Sequence, residues 1–263
     1  MVPLSVKFLT RLRPTTRRML YRFSYPGRIA EWESMKVQPN ASGLWFQPIL
    51  SRKALFIHIP KCAGTSVTKA VFGGPTGSHL PLWKYEIAFS KEELDSLWKF
   101  TFFRNPYDRV LSAYRFLMKG GFLDRDKALR DTYFPEMDFN EFVTTALPRI
   151  EVRRNTVFRI QMEYIQSAST ERPLNFAGFC ETFDTDFAKV LHHLGIDESL
   201  AKVRENTSGE VPLDYRTQYQ GKSVDIVKRL YGRDLDMLGY SFDEPFAESQ
   251  RAKVARFCKD GLA

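Results

Sequence analysis

Two short stretches hold residue types that bind anions. In the first, the apolar run Ala54-Leu55-Phe56-Ile57-His58-Ile59 ends at Pro60 and passes into Lys61-Cys62-Ala63-Gly64-Thr65-Ser66. A buried strand that turns through Lys-x-x-Gly-Thr-Ser into a helix is a phosphate cradle. Orphan backbone N–H groups at the helix start face the anion, and the helix dipole adds to their pull. Gly64 lets the backbone approach closely, Thr65 and Ser66 add hydroxyl donors, and Lys61 adds a mobile positive charge. The turn is a shortened relative of the Walker A loop without its GxxxxGK[ST] order. Read alone, it is also an ordinary helix start with a lysine nearby.

The second stretch weighs against that plainer reading. The run Trp98-Lys99-Phe100-Thr101-Phe102-Phe103 ends at Arg104; Asn105 is a good N-cap and Pro106 suits the first helical position. Val110, Tyr114 and Leu117 then form one apolar stripe. In a nucleotide triphosphatase a later strand delivers an aspartate to magnesium. Here the strand delivers a guanidinium, which binds anions and cannot ligate a metal. Ser112, two helical turns on, faces the same pocket. Two phosphate-binding turns in one sheet imply a ligand phosphorylated at two places, with no metal required.

FIHIPKCAGTSV resembles the 5′-phosphosulfate motif of sulfotransferases, and FTFFRNPYDRVLSAY resembles their 3′-phosphate motif. The likeness is to carbohydrate sulfotransferases of Golgi type, including uronosyl 2-O-sulfotransferases and their bacterial relatives, and covers roughly residues 53 to 240. It implies 3′-phosphoadenosine-5′-phosphosulfate (PAPS) as donor and a hydroxyl-bearing acceptor. Carried over by position, Lys61 contacts the 5′-phosphosulfate and stabilises the leaving phosphate. Gly64, Thr65 and Ser66 bind the 5′-phosphate, and Arg104 and Ser112 hold the 3′-phosphate. Arg109 lies in the same motif, where a salt bridge on its helix is an equal alternative. Cys62 reads as a small buried residue, since direct transfer needs no covalent intermediate.

Transfer to a hydroxyl needs a base. His79, in Gly77-Ser78-His79-Leu80-Pro81-Leu82, resembles the Gly-x-His segment that supplies the proposed base of uronosyl 2-O-sulfotransferases, and an unperturbed imidazole near ~6.5 suits the task. The alternative is a surface loop histidine. Glu86 and Glu181 rank below it as bases. His58 reads as a core histidine, and His192 and His193 as structural groups near a helix C-terminus. For the acceptor, Arg149, Arg153, Arg154 and Arg159 crowd one region with Gln161 and Tyr164 beyond. The family likeness makes this segment the acceptor cleft, suited to an acidic acceptor; the alternative is a solvated face paired with Glu151 and Glu163. Asn206-Thr207-Ser208 resembles a late Asn-x-Ser stretch near the nucleotide, and is also a glycosylation sequon, as is Asn40-Ala41-Ser42.

These residues need a scaffold of alternating strands and helices. The sequence predicts an α/β, P-loop-like three-layer fold with a central, mainly parallel sheet flanked by helices. Helices are expected over 138–148 and 155–166, a strand over 176–180, and helices from Phe183 and from Val224. A chain of 263 residues, 43% hydrophobic and 14% aromatic, has material for one real core. Residues 1–50 read as a basic N-terminal extension and 51–263 as the sulfotransferase domain. Most of the net charge of +8 lies near the N-terminus: seven cations precede the first acid, Glu31, and the remaining chain has 32 basic and 31 acidic residues. A nearly neutral body argues against specific nucleic-acid binding. The arm over residues 1–28 reads as a solvated tail, a transit peptide, or a peripheral membrane contact through Phe8, Leu9, Leu12, Leu20 and Tyr21. Three scattered cysteines without a CxxC pair fit a reduced compartment, and no apolar stretch approaches membrane-spanning length. The expected setting is therefore cytoplasmic, with membrane association open; the resemblance implies a glycan or glycolipid as acceptor, with small hydroxylated metabolites also open. Two rivals are a P-loop kinase-like phosphotransferase and a non-catalytic nucleotide-binding module whose basic arm binds membrane or nucleic acid.

Overall fold

The computed structural model describes residues 12, 14–77, 79–167, 169–197, 214–244, 246 and 248–259. Helices α1 (Pro14–Ser24), α2 (Pro26–Met35) and α3 (Gln47–Arg52) lead into strand β1 (Ala54–Phe56). Then come α4 (Gly64–Phe72), α5 (Leu82–Ala88), α6 (Lys91–Ser96), β2 (Trp98–Phe103), α7 (Pro106–Met118) and α8 (Asp124–Tyr133). After β3 (Phe176–Phe179) the chain forms α9 (Phe183–His193), α10 (Ser223–Leu230), α11 (Gly232–Leu238) and α12 (Glu248–Ala255).

The apolar runs pair as one parallel sheet in the order β1-β2-β3, with Phe56 opposite Phe100 and Phe103 opposite Phe179. Past the end of β1, the Ile57 N–H still donates to the Phe100 carbonyl at 2.9 Å, so the chain stays on the sheet almost to the Lys61 turn. Every strand residue except Trp98 is buried. That is why the strands read as continuous apolar runs rather than alternating ones. The expected α/β class is what the chain adopts. Because the strands are parallel, Lys61, Arg104 and Glu181 all follow carboxyl ends on the same edge, where ligands bind in such sheets.

Residues 14–52 differ from the extension expected there. Tyr21 stacks on Trp32 with ring centroids 5.5 Å apart, and Tyr21, Ile29, Trp32, Met35, Phe46 and Ile49 are buried in the same core as the strands. Arg17, only 1% exposed, donates to the Glu86 carboxylate on α5 at 3.3 Å. The prolines divide this stretch into short helices that pack against the domain. Basic residues drew the reading towards solvation, while the apolar residues between them supply the buried face. Of the residues named for a membrane contact, Tyr21 is buried and Leu12 is partly buried against the core, whereas Phe8 and Leu9 lie outside the described residues.

The centre of the chain also departs from expectation. Only Phe139–Glu141 is α-helical in the first segment, continuing as a π-turn over Phe142–Ala146. In place of a helix over 155–166 there are 3-10 turns at Thr156–Phe158 and Gln161–Glu163, with extended backbone between them. The buried Arg109 guanidinium donates to the carbonyls of Val157 at 3.0 Å and Arg159 at 2.7 Å. Asp234 accepts from the N–H groups of Gln161 at 2.7 Å and Met162 at 3.0 Å. Distant side chains thus take the peptide groups that a helix would have paired internally.

Candidate active site

The first turn is strained and open. Lys61 and Ala63 both lie in the left-handed region, with φ of 66° and 57°. That conformation costs on the order of 1–3 kcal/mol at a non-glycine residue and collects at ligand-binding turns. Helix α4 begins with no capping side chain, so its first-turn N–H groups rely on other partners. Thr65 is exposed beside them and Ser66 is buried. The role of Gly64 is sharper than the sequence indicated: a Cβ there would stand 1.7 Å from His58 Nε2, so the imidazole occupies the space a side chain would need. The Cys62 thiol is buried and donates to Gln161 Oε1 at 3.5 Å.

The second turn is closed by its own side chains. The Asn105 carboxamide oxygen accepts from the Tyr107 N–H at 3.0 Å, while its NH2 donates to Tyr215 Oη and the Ser241 carbonyl. Glu181 accepts the Asn105 N–H at 2.6 Å and the Tyr240 hydroxyl at 2.9 Å. Burial pushes the Glu181 carboxyl up to about 7. It braces the start of α7.

Arg104 joins the two turns. Its Nη1 donates to the Lys61 carbonyl at 3.1 Å and its Nε to Asp108 at 2.7 Å. Burial works against the charged guanidinium, but Asp108 more than compensates and raises its pKa. Ser112 is half-buried on α7, and its hydroxyl has no hydrogen-bond partner among the described residues. The Lys61 ammonium lies 4.3 Å from the centroid of Phe116, one turn beyond Ser112. Burial, then the neighbouring Arg104, lowers Lys61 to about 8.

His79 sits with its ring centroid 4.3 Å from that of His58, edge to face. Burial, then Arg125 and Lys61, holds it down to about 4, with Asp126 opposing. The ordinary imidazole value read from sequence therefore does not apply, because the ring is largely removed from solvent and faces cations. It is neutral at pH 7, as a base must be. His193 stacks on Trp98 at 4.1 Å, at the opposite end of β2 from Arg104.

The residues expected to contact the acceptor divide into three groups. Gln161 is fully buried: its Oε1 accepts from the Arg104 N–H at 3.0 Å and its Nε2 donates to the Arg104 carbonyl at 2.8 Å. This corrects its assignment, since its amide clamps Arg104 instead of facing a cleft. Tyr164 is likewise buried, its hydroxyl donating to the Thr156 carbonyl. Arg149 and Arg154 are exposed, and Arg153 donates to the Pro148 carbonyl at 3.3 Å. Only Arg159 is tied towards the base. It lies over Tyr164, whose carbonyl accepts the Leu82 N–H at 2.7 Å, three residues after His79. Glu163 pairs with it at 3.5 Å. Lys84, lowered to about 8 by burial and by Arg159 and Arg28, joins this basic cluster.

Arg109, Asp108, Lys84 and Arg125 were missed or left open by sequence reasoning. Asp108 could have been found, because it stands four residues after Arg104 on a helix. The others depend on tertiary contacts. Asn206-Thr207-Ser208 lies outside the described residues.

Fold and site together define an α/β domain with an uncapped helix start and a partly buried arginine side by side at the carboxyl edge of its sheet. The chain belongs to the sulfotransferase family, whose sequence pattern matches residues 78–241. The match includes His79, Arg104 and Ser112 and begins after the Lys61 turn. No curated protein and no solved structure matches the chain. Sulfuryl transfer is the chemistry of this family.

Proposed function

We propose that this protein transfers a sulfuryl group from PAPS to the hydroxyl of a carbohydrate or other hydroxylated acceptor by in-line displacement. The observation that carries the reading is the Arg104–Lys61 hydrogen bond of 3.1 Å, which joins two anion-binding turns at one sheet edge. A donor phosphorylated at both its 3′ and 5′ positions fits such a pair. The uncapped start of α4, curled by two left-handed residues, suits the 5′-phosphosulfate; Arg104 and Ser112 suit the 3′-phosphate. PAPS supplies the activated sulfuryl group, and no metal has a role in this reading.

His79, neutral at working pH, takes the proton from the acceptor hydroxyl as its oxygen attacks. Lys61 neutralises charge on the departing phosphate, a task strengthened by its partly desolvated position. The donor's negative charge offsets the fields of Lys61 and Arg125 at His79, making the imidazole more basic than in the free protein. Arg159 and Lys84 favour an acidic acceptor such as a glycan or glycolipid bearing carboxylate or sulfate.

The test is ligand-induced thermal stabilisation without magnesium, comparing 3′-phosphoadenosine-5′-phosphate (PAP), its analogue lacking the 3′-phosphate, and ATP. Stabilisation that requires the 3′-phosphate and is lost in Arg104→Ala is the expected result. A shift with ATP and magnesium alone would overturn it in favour of a kinase.

A further inference from the structure

His58 has no part in the transfer just described, yet it touches both halves of it. It lies two residues past the end of β1, next to Ile57, whose N–H donates to the Phe100 carbonyl. Its ring stacks on Phe56, with centroids 5.4 Å apart and planes 21° from parallel. One edge fills the Cβ space of Gly64, where Nε2, Cδ2 and Cε1 would all lie within 2.4 Å of an added carbon. Another side meets His79 edge to face, at 67°. A ring confined by a strand end, a helix start and a second imidazole has little freedom to swing.

We propose that His58 is a positioning residue, a wedge that fixes His79 relative to the Lys61 turn and limits the access of water to the base. This rests on the reading of His79 as the base of sulfuryl transfer. Gly64 then acquires a second purpose, since any side chain there would displace the wedge and, through it, the base. The groups facing the pair are cationic on balance: Lys61 on His58, and Lys61 and Arg125 on His79, with Asp126 the acidic member. His58 accordingly stays neutral, its pKa driven well below the ordinary imidazole value by burial, His79 and Lys61. An aliphatic residue would fill the space less completely, and a basic one would set a further cation beside the base.

The test follows the imidazole resonances of isotopically labelled histidine through a pH titration of the free, full-length protein, with His79 assigned from His79→Asn. In the wild type His79 remains neutral down to acid pH. In His58→Ala, water reaches the ring and its midpoint rises by roughly one pH unit or more. In His58→Phe, which keeps a planar ring in place, the midpoint stays low, but the His79 resonances move because a different ring current lies 4.3 Å away. A His79 midpoint unchanged in His58→Ala overturns the proposal. If His58→Ala does not fold, unmoved His79 resonances in folded His58→Phe overturn it instead. PAP binding provides the separate control: its absence in the wild type would reject the donor reading while leaving the histidine titrations decisive for the wedge.

Discussion

The two strand-to-helix turns of the site use opposite means. At the first, α4 starts without a capping side chain and two non-glycine residues adopt left-handed backbone, leaving polar backbone groups at the helix start for a ligand. At the second, Asn105 caps α7 by accepting the Tyr107 N–H and Glu181 accepts the N–H of Asn105 itself, which leaves Arg104 and Ser112 to meet an anion. In the proposed reading one turn recognises with backbone, the other with side chains. The backbone turn is strained and suited to a group whose charge changes during reaction. The side-chain turn is stable before anything binds and suited to a fixed anchor.

The contrast can be broken at either end. Lys61→Ala is expected to lower turnover by about 10²–10³-fold, with a smaller loss of PAP affinity, because the ammonium acts on charge that develops during transfer. Steady-state kinetics with direct PAP titration separates the two; a loss confined to affinity would remove Lys61 from the chemistry. Arg104→Ala should weaken PAP by about 1.5–3 kcal/mol and leave the analogue without a 3′-phosphate much less affected. Equal losses for both ligands would mean that its bond to the Lys61 carbonyl matters more than its charge.

pH should divide the turns without mutation. Lys61 carries its charge below its value of about 8 in the free protein and loses it as pH rises through that point, whereas Arg104 keeps its charge. PAP affinity should therefore decline by up to about tenfold per pH unit above that point, while the benefit of the 3′-phosphate persists. Calorimetric titration at several pH values reads both. Asn105→Ala is expected to lower stability by about 0.5–2 kcal/mol through its lost cap, seen as a drop in Tm, with PAP affinity retained. Last and smallest, Cys62→Ser should leave turnover within a small factor of wild type; a complete loss would point to a covalent role for the thiol.

Much of this site was legible because it is local. Lys61, Gly64, Arg104 and Asn105 lie within short strand–turn–helix segments, whose apolar runs and capping residues announce themselves in order. What was not legible is long-range. Gln161 looked like a cleft residue, but Arg104 lies 57 positions away and binds it on both sides. Arg109 and Asp234 turned an expected helix into two short turns by capturing its peptide groups. The lowered His79 pKa likewise comes from burial and from Lys61 and Arg125, contributed by separate segments. The N-terminal helices were misjudged for another reason: charge is conspicuous in a sequence, whereas a buried face made of Tyr21, Ile29 and Trp32 shows itself only after folding.

The ion pair between Arg17 and Glu86 carries a consequence for maturation. Glu86 has 9% of its side chain exposed and faces an arginine from the first described helix. A protease that trimmed the amino terminus past Arg17 would remove the cation from one oxygen of that carboxylate, while the Ser167 hydroxyl stays on the other. Truncation past Arg17 is therefore expected to lower the Tm of the domain, whereas truncation upstream of it spares this ion pair.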